Sequence, residues 1–291
     1  MIFIYFIIAI LVIILLLFIN NFFNKKEKFD NKPIIWMYWE TPQNKIKPGY
    51  IDLCYNSVIH NCSNCFNVIL LDNKNIYQYI PDLDKYNLVN LSIPQKVDLY
   101  RYILLEKYGG LWIDADILVL KCLCKFYKKL DQYDYVGFGC GYDNKTCGLK
   151  NNGYGRPLNW MMASKPNTEY LKCIKNNALE KINNQEKIRY HGIGKDVLKE
   201  CHDNLKNKKN WKYYHVNSKC NEYDSYGNKL NNIFKNFNNT DCSERYFFPF
   251  YNTAPGLPQW FKELSVDELK NQDLDIKPII KEAFKSKCNC K

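Results

Sequence analysis

Asp114 and Asp116 are the residues of this sequence best suited to do chemistry. Two carboxylates at i and i+2 on a strand point the same way, and at a strand end they can share one divalent cation or grip it together with a bound diphosphate. Hard oxygen ligands of this kind suit Mn²⁺ and Mg²⁺. Such an ion stabilises the negative charge that develops when a diphosphate leaves a sugar, so a nucleotide-sugar donor is one substrate that needs the pair. The spacing alone is common at surface strand ends and carries little.

Asp98 and Arg101 lie upstream, three residues apart and therefore on one face of any helix that contains both. An Asp can accept from a base or a sugar hydroxyl, and an Arg presents a fork suited to phosphate or carboxylate. The plain alternative is an intrahelical ion pair worth only ~0.3–0.5 kcal/mol. Trp39 stands at the end of an apolar run and fits either base stacking or ordinary core packing. His191, in Tyr190-His191-Gly192-Ile193-Gly194, fits either a group reaching a diphosphate or acceptor, or a surface-loop histidine.

The run from Val97 to Asp116 resembles a known signature. An Asp-x-x-Arg helix, Asp98 to Arg101, ends in Tyr108-Gly109-Gly110, and Leu111-Trp112-Ile113 then delivers Asp114-Ala115-Asp116. This is similar to the DXD-containing glycosyltransferase family 32 and the related capsular polysaccharide synthesis proteins. Pro33 to Glu40 and Ile51 to Asp72 resemble the opening strand, next helix and next strand of the capsular group, and the likeness fades through Asn159 to Ile174.

That resemblance implies a GT-A type, Rossmann-like nucleotide-diphospho-sugar transferase fold and a metal-dependent hexosyltransferase that retains anomeric configuration. The donor would be a UDP- or GDP-sugar and the acceptor a glycan or glycoconjugate. By the same resemblance Trp39 stacks on the base, Asp98 and Arg101 contact donor sugar and phosphates, and Trp112 flanks the donor pocket. Asp116 binds the metal directly, and Asp114 contacts the ribose or reaches the metal through water. Trp112 stands where Tyr is often found. Related enzymes add a metal or phosphate ligand from a C-terminal segment, and the sequence offers no clear match for it.

The elements that would position these groups follow from punctuation and periodicity. Pro33 to Trp39 is a β-prone apolar run stopped at Thr41-Pro42, Ile51 to His60 has helical spacing, and Phe66 to Asp72 is a second buried strand. A short helix is expected at Asn75 to Ile80. Ser92 before Pro94 opens a helix that runs to Tyr108, where Gly109-Gly110 closes it. Leu111 to Asp114 is a third strand, and Ala115 to Leu120 continues extended. Tyr135 to Gly139 and Asn159 to Ser164 read as strands, and Thr168 to Ile182 as a helix. The alternation argues for an α/β fold with a mixed central sheet and helices on both faces, in which ligands sit beyond the carboxyl ends of the strands. Asn204 to Asn239, rich in Asn and Lys, reads as an insertion or flexible region.

Length favours one catalytic domain, drawn here as 33–291 after a linker at 24–32. The aromatic content of 15% and charged content of 24% fit a chain with a real core rather than a disordered one. Ile2 to Ile19 is an unbroken apolar run, long enough at ~1.5 Å per residue to approach a ~30 Å hydrocarbon core. It predicts a transmembrane helix within an anchor at 1–23, and hence a single-pass membrane protein. Lys25, Lys26 and Lys28 follow it, offset by Glu27 and Asp30, and leave the side of the catalytic body open.

The net charge of +11 comes from scattered lysines, which fits acidic partners such as nucleotide phosphates or anionic lipid headgroups. No nucleic-acid motif accompanies it. Thirteen cysteines without double zinc spacing point to structural disulfides or buried thiols. Two other classes compete with the transferase: an inactive binder of sugar nucleotides or glycans on the same fold, and a phosphodiesterase. Intact Asp98, Arg101, Asp114 and Asp116 argue against the first, and four scattered histidines are a poor supply for the second.

Overall fold

A computed structural model describes residues 32–139, 158–184, 187–208, 210–217, 245–250, 252, 257–274, 276–285 and 287. In chain order the elements are β1 (Ile34–Tyr38), α1 (Gly49–Cys62), β2 (Asn67–Leu71), α2 (Ile93–Tyr108), β3 (Gly110–Ile113), β4 (Ile117–Val119), the short α3 (Cys124–Tyr127), β5 (Tyr135–Gly139), β6 (Leu158–Ser164), α4 (Glu169–Asn183), α5 (Lys195–Leu205), β7 (Tyr213–Asn217), β8 (Phe247–Pro249), α6 (Gln259–Glu263), α7 (Val266–Asn271) and α8 (Lys277–Ala283). The main sheet is ordered β2-β1-β3-β6-β5-β7. β1 pairs parallel with β2 and β3, β6 runs antiparallel to both β3 and β5, and β7 is parallel to β5. A mixed α/β sheet is therefore present.

Strand period sorts the core into two faces. Ile35, Met37, Leu111, Ile113, Val136 and Phe138 belong to one apolar cluster, with α1, α7, α8 and the β4–β8 ribbon. Trp36, Tyr38, Trp112, Tyr135 and Met162 belong to the other, with α2, α4 and α5.

The turn from α2 into β3 aims the acidic segment. Ser92 opens α2 with a reciprocal cap, its backbone N–H donating to Gln95 Oε1 at 2.9 Å. Gly109 and Gly110 take φ of +66° and +103°, and a Cβ on Gly110 would lie 2.4 Å from the Ile34 carbonyl oxygen. Only glycine allows so close a passage beneath β1. The Trp36 indole N–H donates to the Gly109 carbonyl at 2.9 Å and pins the turn.

Two expectations are corrected. Among the described residues no helix is long and apolar enough to cross a membrane, so neither a fold class with a transmembrane helix nor a single-pass membrane localisation is supported. The longest described helix, α2, has 16 residues. That is about 24 Å, and it carries Lys96, Asp98, Arg101, Glu106 and Lys107. The predicted span from Ile2 to Ile19 lies outside the described residues. The region from Asn204 to Asn239 is also not uniformly irregular, because it begins within α5 and contains β7, whose Tyr213, Tyr214 and His215 pair with β5. Residues 218–239 lie outside the described residues.

The cysteines follow the disulfide reading. Cys173 and Cys201 are bonded and tie α4 to α5, while Cys54 and Cys62 are buried free thiols. Cys65, Cys122 and Cys124 bring their sulfurs within 4.8 Å of one another, as metal-binding thiols would. All three are engaged in disulfides, which leaves no thiolate set for an ion.

Candidate functional site

Asp114 and Asp116 lie in the tight turn that joins the carboxyl end of β3 to β4. The Ile117 amide closes that turn on the Asp114 carbonyl at 3.2 Å, and the Asp114 amide is held by the Trp160 carbonyl of β6 at 2.9 Å. On the other side the Phe250 amide donates to the Asp116 carbonyl at 2.9 Å. The turn is fixed by both sheets at once. Its carboxylates stay partly open, Asp114 keeping 29% of its side-chain exposure.

Arg101 is the hub beneath them. Its side chain is only 4% exposed and lies 3.2 Å from Asp98 Oδ1 through one terminal nitrogen and 3.2 Å from Asp114 Oδ1 through the other. The guanidinium also donates to the Asn159 carbonyl and lies 4.9 Å over the Trp112 ring. Trp112 is fully buried and donates its indole N–H to Asp114 Oδ1 at 2.8 Å. It acts on the site from below, through Arg101 and Asp114, with no surface of its own at the crevice.

Sequence reasoning missed three residues here. Asn159, at the start of β6, donates to Asp98 Oδ1 at 2.7 Å while its carbonyl takes Arg101. Gly194, which caps α5, sits so close that a Cβ there would lie 2.6 Å from Asp98 Oδ2. Asn252 supplies the C-terminal contact: its amide donates to Asp116 Oδ2 at 2.7 Å, and its side-chain oxygen accepts from the Tyr50 hydroxyl. Lys262 donates to the Asn252 carbonyl at 3.2 Å. None has a local signal, since the partners lie 61 residues apart for Asn159 and Asp98 and 136 for Asn252 and Asp116.

Trp39 and His191 border this cluster at a remove. Trp39 is half-buried just past β1, its indole N–H on the Thr41 hydroxyl at 3.2 Å. His191 sits in the loop that ends at Gly194, and burial together with Lys195 and Arg189 lowers its pKa below the ordinary imidazole value. Among the described residues, direct contacts join Asp98, Arg101, Trp112 and Asp114 to one another, and none brings in Trp39 or His191.

The electrostatics favour a cation. Three carboxylates face one guanidinium, so full ionisation would leave two excess negative charges in a poorly solvated site. Burial raises Asp98 to about 6 against the relief from Arg101, with Asp114 adding to the rise. Burial, then the charge of Asp114, raises Asp116 to about 6 as well. Burial raises Asp114 too, opposed by Arg101 and the Trp112 N–H. Carboxylates held up in this way lack positive charge, and a divalent ion with oxygen preference fits the deficit.

A family model described as capsular polysaccharide synthesis protein matches residues 16–246. Among solved structures, the chain is similar to PaToxG glycosyltransferase at 14% identity and a TM-score of 0.44, over 60% of this chain and 70% of that one. It is also similar to an active-site mutant of LgtC at 13% identity and a TM-score of 0.38, over 72% of this chain and 79% of that one. No curated protein matches the sequence.

Proposed function

Because the chain belongs to the capsular polysaccharide synthesis protein family, we propose that it is a glycosyltransferase that moves a hexosyl group from a UDP- or GDP-sugar to a hydroxyl of a glycan or glycoconjugate. The transfer uses Mn²⁺ or Mg²⁺ and retains anomeric configuration. The observation that carries this reading is the unbalanced acidic turn after β3, where Asp114 and Asp116 stay partly open above the buried Asp98–Arg101 pair.

When bound, the cation supplies Lewis-acid stabilisation of the departing diphosphate. Asp116 would hold the cation, one of its oxygens being already oriented by the Asn252 amide. Asp114 stands beside it, oriented by Trp112 and Arg101. Arg101 is spent on carboxylates and a carbonyl, which supports a role in holding Asp98 and Asp114 in place rather than in gripping phosphate. Asp98 offers a carboxyl to a donor-sugar hydroxyl, and Trp39 offers a half-buried ring to the base at the mouth of β1. The acceptor proton passes to the departing phosphate oxygen on the same face, so no side-chain base is required.

The test is release of UDP or GDP from a panel of sugar nucleotides, with Mn²⁺ and with chelator, beside Asp116→Ala. Metal-dependent release from one donor, abolished in a folded variant, supports the reading and names the sugar. Tight nucleotide binding with no release from any donor would favour an inactive binder.

A further inference from the structure

The loop that ends at Gly194 is held more firmly than a surface connection requires. Gln95, in the first turn of α2, donates to the Ile188 and Arg189 carbonyls at 3.1 and 3.3 Å. The Tyr102 hydroxyl, from the same helix, reaches the Ile193 and Gly194 carbonyls at 3.0 and 3.3 Å. Arg189 is paired with Asp196 at 3.1 Å, and Ile193 is fully buried. Between these clamps stands Tyr190, 51% exposed. Its ring meets the His191 imidazole edge to face, with centroids 4.8 Å apart.

The location follows from chain direction. α2 ends at Gly109, where β3 begins, so its opposite end, with Gln95, lies toward the carboxyl ends of β1 and β3. Those strand ends carry Trp39 and Asp114. The loop therefore borders the rim where a donor would sit, and four residues after Tyr190 the chain touches Asp98 through Gly194. A large ring left half in water costs hydrophobic free energy. Here the ordering that would make it a binding surface is already done, because the backbone on either side is fixed. A pre-ordered aromatic face offers broad contact area at small entropic cost.

We propose that Tyr190 is an acceptor-binding residue that stacks on the C–H face of a pyranose ring in the acceptor, with His191 bracing the tyrosine from the side. This rests on the glycosyltransferase donor reading given above. The acceptor sugar enters over the 188–194 loop, and its reactive hydroxyl is thereby brought alongside Asp98.

The test uses the full chain with Mn²⁺, the donor it hydrolyses, and methyl α- and β-glycosides of glucose, galactose and mannose as acceptors. The expected result is saturable stimulation of nucleotide release by at least one glycoside. Its half-saturating concentration should rise about 5-fold or more in Tyr190→Ala and stay close to wild type in Tyr190→Phe, while the donor KM holds in both. Saturation-transfer NMR should show the ring-face protons of that glycoside losing their signal in Tyr190→Ala. An unchanged glycoside half-saturation in Tyr190→Ala overturns the proposal. So does a matching rise in donor KM, which would assign the ring to the donor, and so does the absence of stimulation by any glycoside in a protein that hydrolyses donor. Failure of the wild type to release nucleotide from any donor is a separate result that removes the donor reading, and this proposal with it.

Discussion

The Trp112 indole N–H donates to Asp114 Oδ1 at 2.8 Å, and the same ring lies 4.9 Å beneath the Arg101 guanidinium that shares that oxygen. One buried side chain thus sets both the orientation of the carboxylate and the position of the cation that balances it. Trp112→Phe keeps most of the apolar volume and removes the donor. Mn²⁺ affinity measured by calorimetry should weaken about 10-fold or more, in the range found when groups behind a metal ligand are lost, with the fold retained. Unaltered affinity would show that Arg101 alone orients Asp114.

Gly194→Ala places a methyl 2.6 Å from Asp98 Oδ2 and 3.1 Å from the Asn159 amide nitrogen. Gly194 has a φ of −88°, outside the left-handed region, and the substitution acts through the close contacts of the added methyl. Forced repacking of this kind costs about 1–3 kcal/mol. Urea unfolding should show a loss in that range, and the donor KM should rise because Asp98 moves. A variant of wild-type stability and KM would mean that the α5 end shifts freely.

Asp98 and Asp116 have folded pKa values near 6 against an ordinary value of 3.8. A carboxyl raised in the folded state binds more protons there than in the unfolded chain between those values, so stability of the cation-free protein falls as pH rises through about 4 to 6. A cation competes with those protons and relieves the penalty above that window. Added Mn²⁺ should therefore raise Tm by more at pH 7.5 than at pH 5, by several degrees at saturating concentration. Equal shifts at both values would contradict the charge balance assigned to the site.

Cys173 and Cys201 close a sequence separation of 28 residues and join α4 to α5. Loop-entropy estimates for such a closure are about 3–4 kcal/mol. The paired variant Cys173→Ser, Cys201→Ser should lower the urea midpoint accordingly. Donor KM should also rise, because α5 begins at Gly194 against Asp98. An unchanged midpoint would show that helix packing alone holds α5.

What could be read in the sequence was what neighbouring residues write down. Ser92, Gln95 and Pro94 open α2, Gly109-Gly110 end it, and Asp98 and Arg101 fall on one face because they are three positions apart. Spacing marks the acidic pair at the end of β3, but not what anchors it, because the turn closed by the Ile117 amide is held by Trp160 and Phe250 far along the chain. Asn159, Gly194 and Asn252 were invisible for the same reason: each acts through a partner brought near only by the finished sheet. β8 has three residues, and α6, α7 and α8 have five to seven, too few to show a period. For Trp112 the family resemblance implies a place flanking the donor pocket, and the structure buries its ring in the core on the face of the sheet that α2 covers.

The most direct test of the central claim is Mn²⁺ binding followed by electron paramagnetic resonance, with and without UDP, in the wild type and Asp116→Ala. One tightly bound Mn²⁺ per chain is expected in the presence of UDP, lost in a variant whose fold persists. Retention of that ion in Asp116→Ala, with unaltered affinity, would contradict the assignment of the β3–β4 turn as the metal site.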